Sequence, residues 1–214
     1  LGYTKSFDWL QYKMRGNQPT PEKVEHIADV VSHKYKLKIK RVKSRFGFAR
    51  YAKKMFILIN RVFRFLYGFV PYTDKERDFF LSNYYFIARF DLTCFVVDEL
   101  DNLVGFAVCY PNYTRAFQKS KGKLIPFGIF RLLWAKYFFK DVEMSFVGVS
   151  PEWQKRGAVA LIHNELNKIF IRKKIRYAVT NPQLEDNVAA VSIWQNYGSE
   201  LYARRRCYSK RIVN

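Results

Sequence analysis

A chain of 214 residues, 49% hydrophobic and 18% aromatic, is long enough to bury one substantial core and a small appendage. Its longest apolar stretch, within residues 53–70, is interrupted by Arg61 and Arg64 well short of the ~20 apolar residues a membrane span needs, so no transmembrane segment is predicted. A net charge of +20 points to polyanions as partners, whether nucleic acid, anionic membrane or a phosphorylated cofactor, with a plain solvated basic face as the alternative.

Residues 1–14 read as the end of an element rather than a beginning. LGYTKSFDWLQYK and the later YGSELYARRRCYS share one spacing, Gly2 to Tyr12 and Gly198 to Tyr208, each a glycine, a polar link and an aromatic strand. This predicts that residues 1–18 are the C-terminal remnant of a preceding similar domain, or a linker, ahead of a main domain over 19–214. The absence of an initiating Met agrees with a fragment, and no charged leader with a following apolar stretch marks a secretory signal.

Pro21 opens a first helix over 19–30, with Val24, Ile27, Ala28 and Val31 at helical spacing. KYKLKIK then alternates Tyr35, Leu37 and Ile39 with four lysines, the pattern of a half-exposed strand over 34–40. From Lys34 to Tyr72 there are twelve Lys or Arg residues and no Asp or Glu. Residues 48–67 are helical by period and end at Gly68 and Pro71. Thr73, with Glu76 three residues on, forms a capping box for a second helix whose expected buried side is Phe79, Phe80 and Tyr84. TCFVVDE and LVGFAVCY, separated by Leu100, Asp101 and Asn102, predict a hairpin. The basic, aromatic segment 112–140 reads as an insertion of two short helices around residues 122–126, a lid, a substrate wall or packing. A strand over 142–149, a helix over 154–172, a strand over 176–180, a helix over 187–196 and a strand from Leu201 follow. The fold class is therefore α/β (α+β), a mixed sheet flanked by helices.

The join SFVGVSPEWQKRGAVALI carries the strongest chemical signal. Beyond Gly157 a stripe of Ala158, Leu161, Ile162, Leu166, Ile169 and Phe170 turns toward a core, which leaves the first backbone amides of that helix unpaired. Such amides, with the helix dipole behind them, form an anion site; Gly157 permits close backbone approach, and Lys155 and Arg156 add charge at the rim. The same residues also suit an ordinary strand-to-helix turn.

VGVSPEWQKRGAVALI resembles the acyl-coenzyme A segment of the GNAT superfamily of N-acyltransferases, V-x-P-x-x-(Q/R)-x-x-G-x-(G/A). Val149, Pro151, Gln154 and Gly157 match, while Val159 stands at the last small position between Ala158 and Ala160. A second segment, Asn187, Ala190, Ile193, Trp194 and Gly198, is similar to the family's N-x-x-A-x-x-(L/I)-Y-x-x-x-G helix, with Trp194 where the family commonly has a tyrosine acid. KSKGKLIPFG and RRRCY extend the resemblance, over about residues 20–212, to a bacterial group of GNAT-like proteins. The resemblance implies a mostly antiparallel central sheet and acetyl-CoA or another acyl-CoA as cofactor. It implies a pyrophosphate held by Gln154, Lys155, Arg156, Gly157, Ala158 and Val159, and a pantetheine arm along Val147 and Val149, flanked by Asn187 and Trp194. A main-chain N–H between Phe146 and Val149 would stabilise the oxyanion.

For a base, Glu143 lies where some family members place a glutamate, and burial would raise its pKa toward neutrality; a strand-end carboxylate paired with a lysine is the alternative. Asn181 would orient substrate or water, or serve as a turn residue before Pro182. Trp194 has no comparable acid function, so the thiolate would leave protonated by water. Cys94, Cys109 and Cys207 form no CxxC pair, which points to a reducing cytoplasm rather than a disulfide framework or zinc site, and His26, His33 and His163 read as surface or packing residues. Two functions remain open: acyl transfer from acyl-CoA to a primary amine of unknown identity, or a non-catalytic GNAT-like module whose basic surface binds nucleic acid, anionic lipid or protein.

Overall fold

The computed structural model describes residues 2–195 and 197–212, so Leu1 and Asn196 of the expected terminal elements lie outside the described residues. β1 (Thr4–Arg15) takes a place inside the sheet, antiparallel to β6 (Tyr177–Thr180) and β7 (Gln183–Leu184) and to β8 (Glu200–Ser209). The Asp8 carboxylate, with no exposed side-chain surface, pins β1 to β8 by accepting Arg206 Nε at 2.8 Å and Nη2 at 2.9 Å, with Arg204 Nη1 at 3.2 Å. Two of the three arginines of RRRCY are thereby used within the sheet.

β2 (Lys38–Arg41), β3 (Thr93–Val97), β4 (Leu103–Pro111) and β5 (Asp141–Val149) complete an eight-stranded sheet of order β2-β3-β4-β5-β6-β1-β7, with β8 on β1. Among the described residues only β5 and β6 run parallel. Their crossover is made by α6 (Pro151–Gln154) and α7 (Ala158–Arg172), as a parallel connection requires. α7 and α1 (Glu22–Tyr35) cover one face, where Val142, Met144, Ile162 and Leu166 are buried together. α2 (Arg45–Phe63) and α3 (Asp74–Ile87) cover the other, over Phe48, Tyr84, Phe95 and Phe106. Each such side chain contributes about 1.5–3 kcal/mol relative to exposure, which makes both faces of the sheet obligatory cores. The mixed, mostly antiparallel sheet flanked by helices is the expected fold class.

Three local expectations are corrected. The strand expected over 34–40 begins only at Lys38, because α1 continues through Tyr35 and stops at Lys36, whose φ is 51°. The Thr73–Glu76 capping box is present, yet Phe79 is 74% exposed and Leu81 and Tyr84 are the buried residues of α3. The helix expected over 154–172 is divided, since Gly157 at φ 79° separates α6 from α7. In segment 112–140, α4 (Thr114–Lys119) and α5 (Gly128–Tyr137) form the two short helices, and the terminal helix is α8 (Val188–Gln195).

Candidate functional site

β5 is paired on both sides only in its first half. Residues 141–144 align with 177–180 of β6, and the Asn181 N–H to Met144 O bond of 2.9 Å is the last rung. Pro182 then turns the chain away, and Gln183 and Leu184 pair with β1 instead. Residues 145–149 keep β4 on one side and present an open edge on the other.

A β-bulge decides what that edge offers. The β4–β5 register slips between Val108 and Cys109, which leaves Ser145 as the extra residue. Before the slip, Val142 and Met144 face the α7 core; after it, Val147 and Val149 do, while Phe146 packs on the α3 side. One inserted residue therefore reverses the alternation, as the two-residue period of a strand demands. The backbone follows. Asp141 O accepts from Asn112 N–H toward β4, whereas beyond the bulge Ser150 N–H is the group that reaches Val104 O, at 2.8 Å. By alternation the backbone groups of Val147 and Val149 turn away from β4, toward the open edge.

The join sits at the end of this edge. Gln154 Nε2 donates to Val149 O at 2.9 Å, so its side chain braces the turn. Gly157 needs its lack of a side chain twice: for its positive φ, and because a Cβ would lie 3.0 Å from Ile27 and 3.3 Å from Val31 of α1. Ala158 and Val159 occupy the first helical positions, where N–H groups have no carbonyl one turn back within α7. Lys155 and Arg156 are exposed, with the Arg156 guanidinium 5.1 Å from the Trp153 ring and 5.6 Å from Tyr35.

Glu143 is half-buried on the α2/α3 face of β5, opposite Tyr110 of β4. Burial raises its carboxyl above the ordinary value, while Arg205, the third arginine of RRRCY, pulls the other way. The Tyr110 phenol is pushed up to about 12 by burial, with the Ser145 hydroxyl opposing, so it stays protonated at neutral pH as a donor. The arrangement sets a proton acceptor and a proton donor side by side at the point where the sheet opens.

The second resembling segment is built into the structure differently. Asn187 Oδ1 accepts from Ala190 N–H at 3.3 Å, capping α8. Trp194 is 3% exposed within the α7-side core, donates Nε1–H to Gln183 Oε1 at 2.9 Å, and meets the His163 ring edge-on at 5.2 Å. His163 is buried in turn, and burial pushes its imidazole down to about 4, so it packs as a neutral ring. The Asn181 amide N–H closes the β5–β6 ladder, which puts this residue at the fork itself.

A cleft of about 960 Å³ opens on the Glu143 face of the sheet. Phe130, Trp134 and Phe138 of the 112–140 segment form one wall, and Tyr177, Val179 and Tyr202 form the other, with Lys13, Arg131 and Arg176 at its margins. Val179, which lines the cleft, is the cross-strand partner of Glu143, so the cleft ends one strand away from that residue. Tyr110, Ser145 and Arg205 belong to this site but were not singled out from sequence. Tyr110 closes the hairpin strand LVGFAVCY, and only its register against β5 brings it to Glu143.

A family model described as "Acetyltransferase (GNAT) family" matches residues 55–198. The chain is 28% identical over 223 residues to Protein YghO of Escherichia coli (strain K12), covering 99% of this chain and 55% of that protein. It is 26% identical over 222 residues to a bacterial ceramide synthase of Caulobacter vibrioides, covering 99% and 56%. The chain thus spans about half the length of the curated relatives it matches. Among solved structures, a GCN5-related N-acetyltransferase from Sphaerobacter thermophilus aligns with a TM-score of 0.61 at 13% identity, over 97% of this chain and 52% of that one. A tandem GNAT protein from the clavulanic acid biosynthesis pathway aligns at 0.58 and 13%, over 97% and 55%. At these identities the likeness speaks for the fold.

Proposed function

The chain belongs to the GNAT family of acetyltransferases, and from that premise we propose that it carries an N-acyltransferase domain moving an acyl group from acyl-CoA to a primary amine. The observation that carries this reading is the open edge of β5 at residues 145–149, which runs from just beyond Glu143 to the join before α7. The residues fit an acyl-CoA. Val147 and Val149 offer outward backbone groups to a pantetheine arm and to the thioester carbonyl. The amides of Ala158 and Val159, with Lys155 and Arg156 beside them, suit a pyrophosphate. Gln154 and Gly157 support that cradle by fixing its backbone. Bound acyl-CoA supplies the activated acyl group. Glu143 takes the proton from the acceptor ammonium, Asn181 holds the fork where the amine enters, and the Tyr110 phenol is a hydrogen-bond donor beside it. Asn187 and Trp194 act through α8, whose position they fix.

Acetyl is the acyl group inferred from the resemblance alone. The likeness to a protein named bacterial ceramide synthase, whose product is by name an N-acylated long-chain amine, favours a longer acyl chain and an amphipathic acceptor. The aromatic-walled cleft beside Glu143 supports the same choice. We also infer, from the spacing that Gly2–Tyr12 shares with Gly198–Tyr208, that residues 1–18 are the C-terminal remnant of a preceding, similar domain, here taken into this sheet, and that the domain works in a reducing cytoplasm, in accord with its three free cysteines. The second reading, a binding module without turnover, draws on Trp194, whose one side-chain N–H is given to Gln183.

Thermal melting with acetyl- and long-chain acyl-CoA, followed by free-thiol release against short and long-chain amines, separates the two readings. Stabilisation and turnover are expected, greatest with a long-chain amine. Glu143→Gln is expected to lower kcat by about 10²–10⁴-fold while stabilisation by acyl-CoA persists. Stabilisation without thiol release from any amine would leave the binding module, and no stabilisation by any acyl-CoA would overturn acyl transfer and any cofactor role in the second reading.

A further inference from the structure

The segment between β4 and β5 turns its apolar residues outward. On α5 only Gly128 and Leu132 are buried, while Phe130, Trp134 and Tyr137 are exposed at helical spacing. The preceding loop carries Ile125 at 82% and Phe127 at 69% exposure, flanked by the exposed Lys121 and Lys123. This tip is a built element. Ile129 N–H bonds Leu124 O at 2.7 Å, and a Cβ on Gly128 would lie 2.0 Å from Lys123 O, so the loop is folded tightly onto the start of α5.

Charge distinguishes this patch from the rest of the basic surface. Of the twelve Lys or Arg residues from Lys34 to Tyr72, five are in ion pairs, Lys36 with Glu99, Lys40 and Arg50 with Asp101, Arg41 with Glu165 and Arg61 with Glu152, so that run is compensated in part. Residues 112–140 hold seven Lys or Arg residues and no Asp or Glu. Among the described residues none of those seven is in an ion pair. Uncompensated cations around protruding aliphatic and aromatic side chains complement an anionic surface with an apolar interior. Nucleic acid would use the cations and the rings but gives Leu124 and Ile125 nothing to enter.

We propose that the 112–140 segment is a membrane-docking element that seats residues 121–127 and the outer face of α5 in the interface of an anionic bilayer. Among the described residues no helix is long and apolar enough to cross a membrane, so the contact is peripheral. Because Phe130 and Trp134 also wall the cleft, docking brings the cleft mouth to the lipid surface. The inference goes beyond the acyl-transfer reading and is tested without turnover.

The test is flotation with vesicles of equal parts phosphatidylcholine and phosphatidylglycerol, against pure phosphatidylcholine, with low and high salt. Binding to the mixed vesicles alone, weakened by salt, is expected. An Ile125→Ser/Phe127→Ser double variant is expected to lose about tenfold or more in vesicle affinity with an unchanged melting temperature. Thiol release with a soluble amine would be unaffected, which keeps this result distinct from a failure of the acyl-transfer reading. Three results would overturn docking: wild-type protein that stays unbound to the mixed vesicles at low salt, a double variant that binds them as tightly as wild type, or complete displacement from them by a single-stranded oligonucleotide that both proteins bind equally.

Discussion

Two segments carry the family resemblance, and the fold uses them in opposite ways. At 149–159 the matched residues end at an open edge: Gln154 and Gly157 shape the turn, and the first amides of α7 have no carbonyl one turn back within the helix. At 187–198 the matched residues are consumed internally, with Asn187 capping α8 and Trp194 closed into the core. Similar spacing therefore reports shared architecture more directly than shared chemistry. A tyrosine acid is missing at Trp194, and the position it would occupy faces His163 and Gln183.

The contrast is sharpest at Trp194. Trp194→Ala is expected to cost about 3–5 kcal/mol of stability by chemical denaturation, whereas Trp194→Tyr should give no gain in thiol release. A Tyr variant with clearly faster turnover would break the comparison, since it would make this a chemical position after all. Gly157→Ala forces an L-residue into the left-handed region and against Ile27; a loss of about 1–2 kcal/mol is expected, with weaker stabilisation by acyl-CoA, measured by melting with and without it. The smallest effect near neutral pH belongs to His163. Its folded pKa, about 4, lies below the ordinary 6.5, so the neutral ring contributes stability that is complete above about 6.5 and is lost as pH falls toward 4. His163→Phe is expected to flatten that limb of a melting-temperature profile while leaving the value at pH 8 nearly unchanged.

Much of the fold was legible because its signals are local. The Thr73–Glu76 capping box, the two apolar runs of the hairpin and the apolar stripe of α7 each appear where the local pattern places them. Errors arose where long-range packing decides. Tyr84 is buried as spacing places it, but Phe79, which also reads as core, is exposed and Leu81 is buried in its stead. In the candidate site, Glu143 and the 154–159 join were readable as residue types at a recognisable spacing. Tyr110 and Arg205 were not, because each reaches Glu143 only through strand register, and the Ser145 bulge that turns the backbone groups of Val147 and Val149 to the open edge has no sequence signal of its own. The consumption of Arg204 and Arg206 by Asp8 was hidden for the same reason, and it reduces the charge the RRRCY segment presents to any partner.

The position of β1 sets the order of assembly. Its partners β6 and β8 are made late, and the Asp8–Arg206 bond joins residues 198 apart in the sequence. On a ribosome β1 emerges long before the partners it has in this sheet, so it stays without them while the β2–β5 half of the sheet condenses. Contacts of such long separation are slow to form, which makes closure of β1 the late event in folding and this strand the vulnerable one until then.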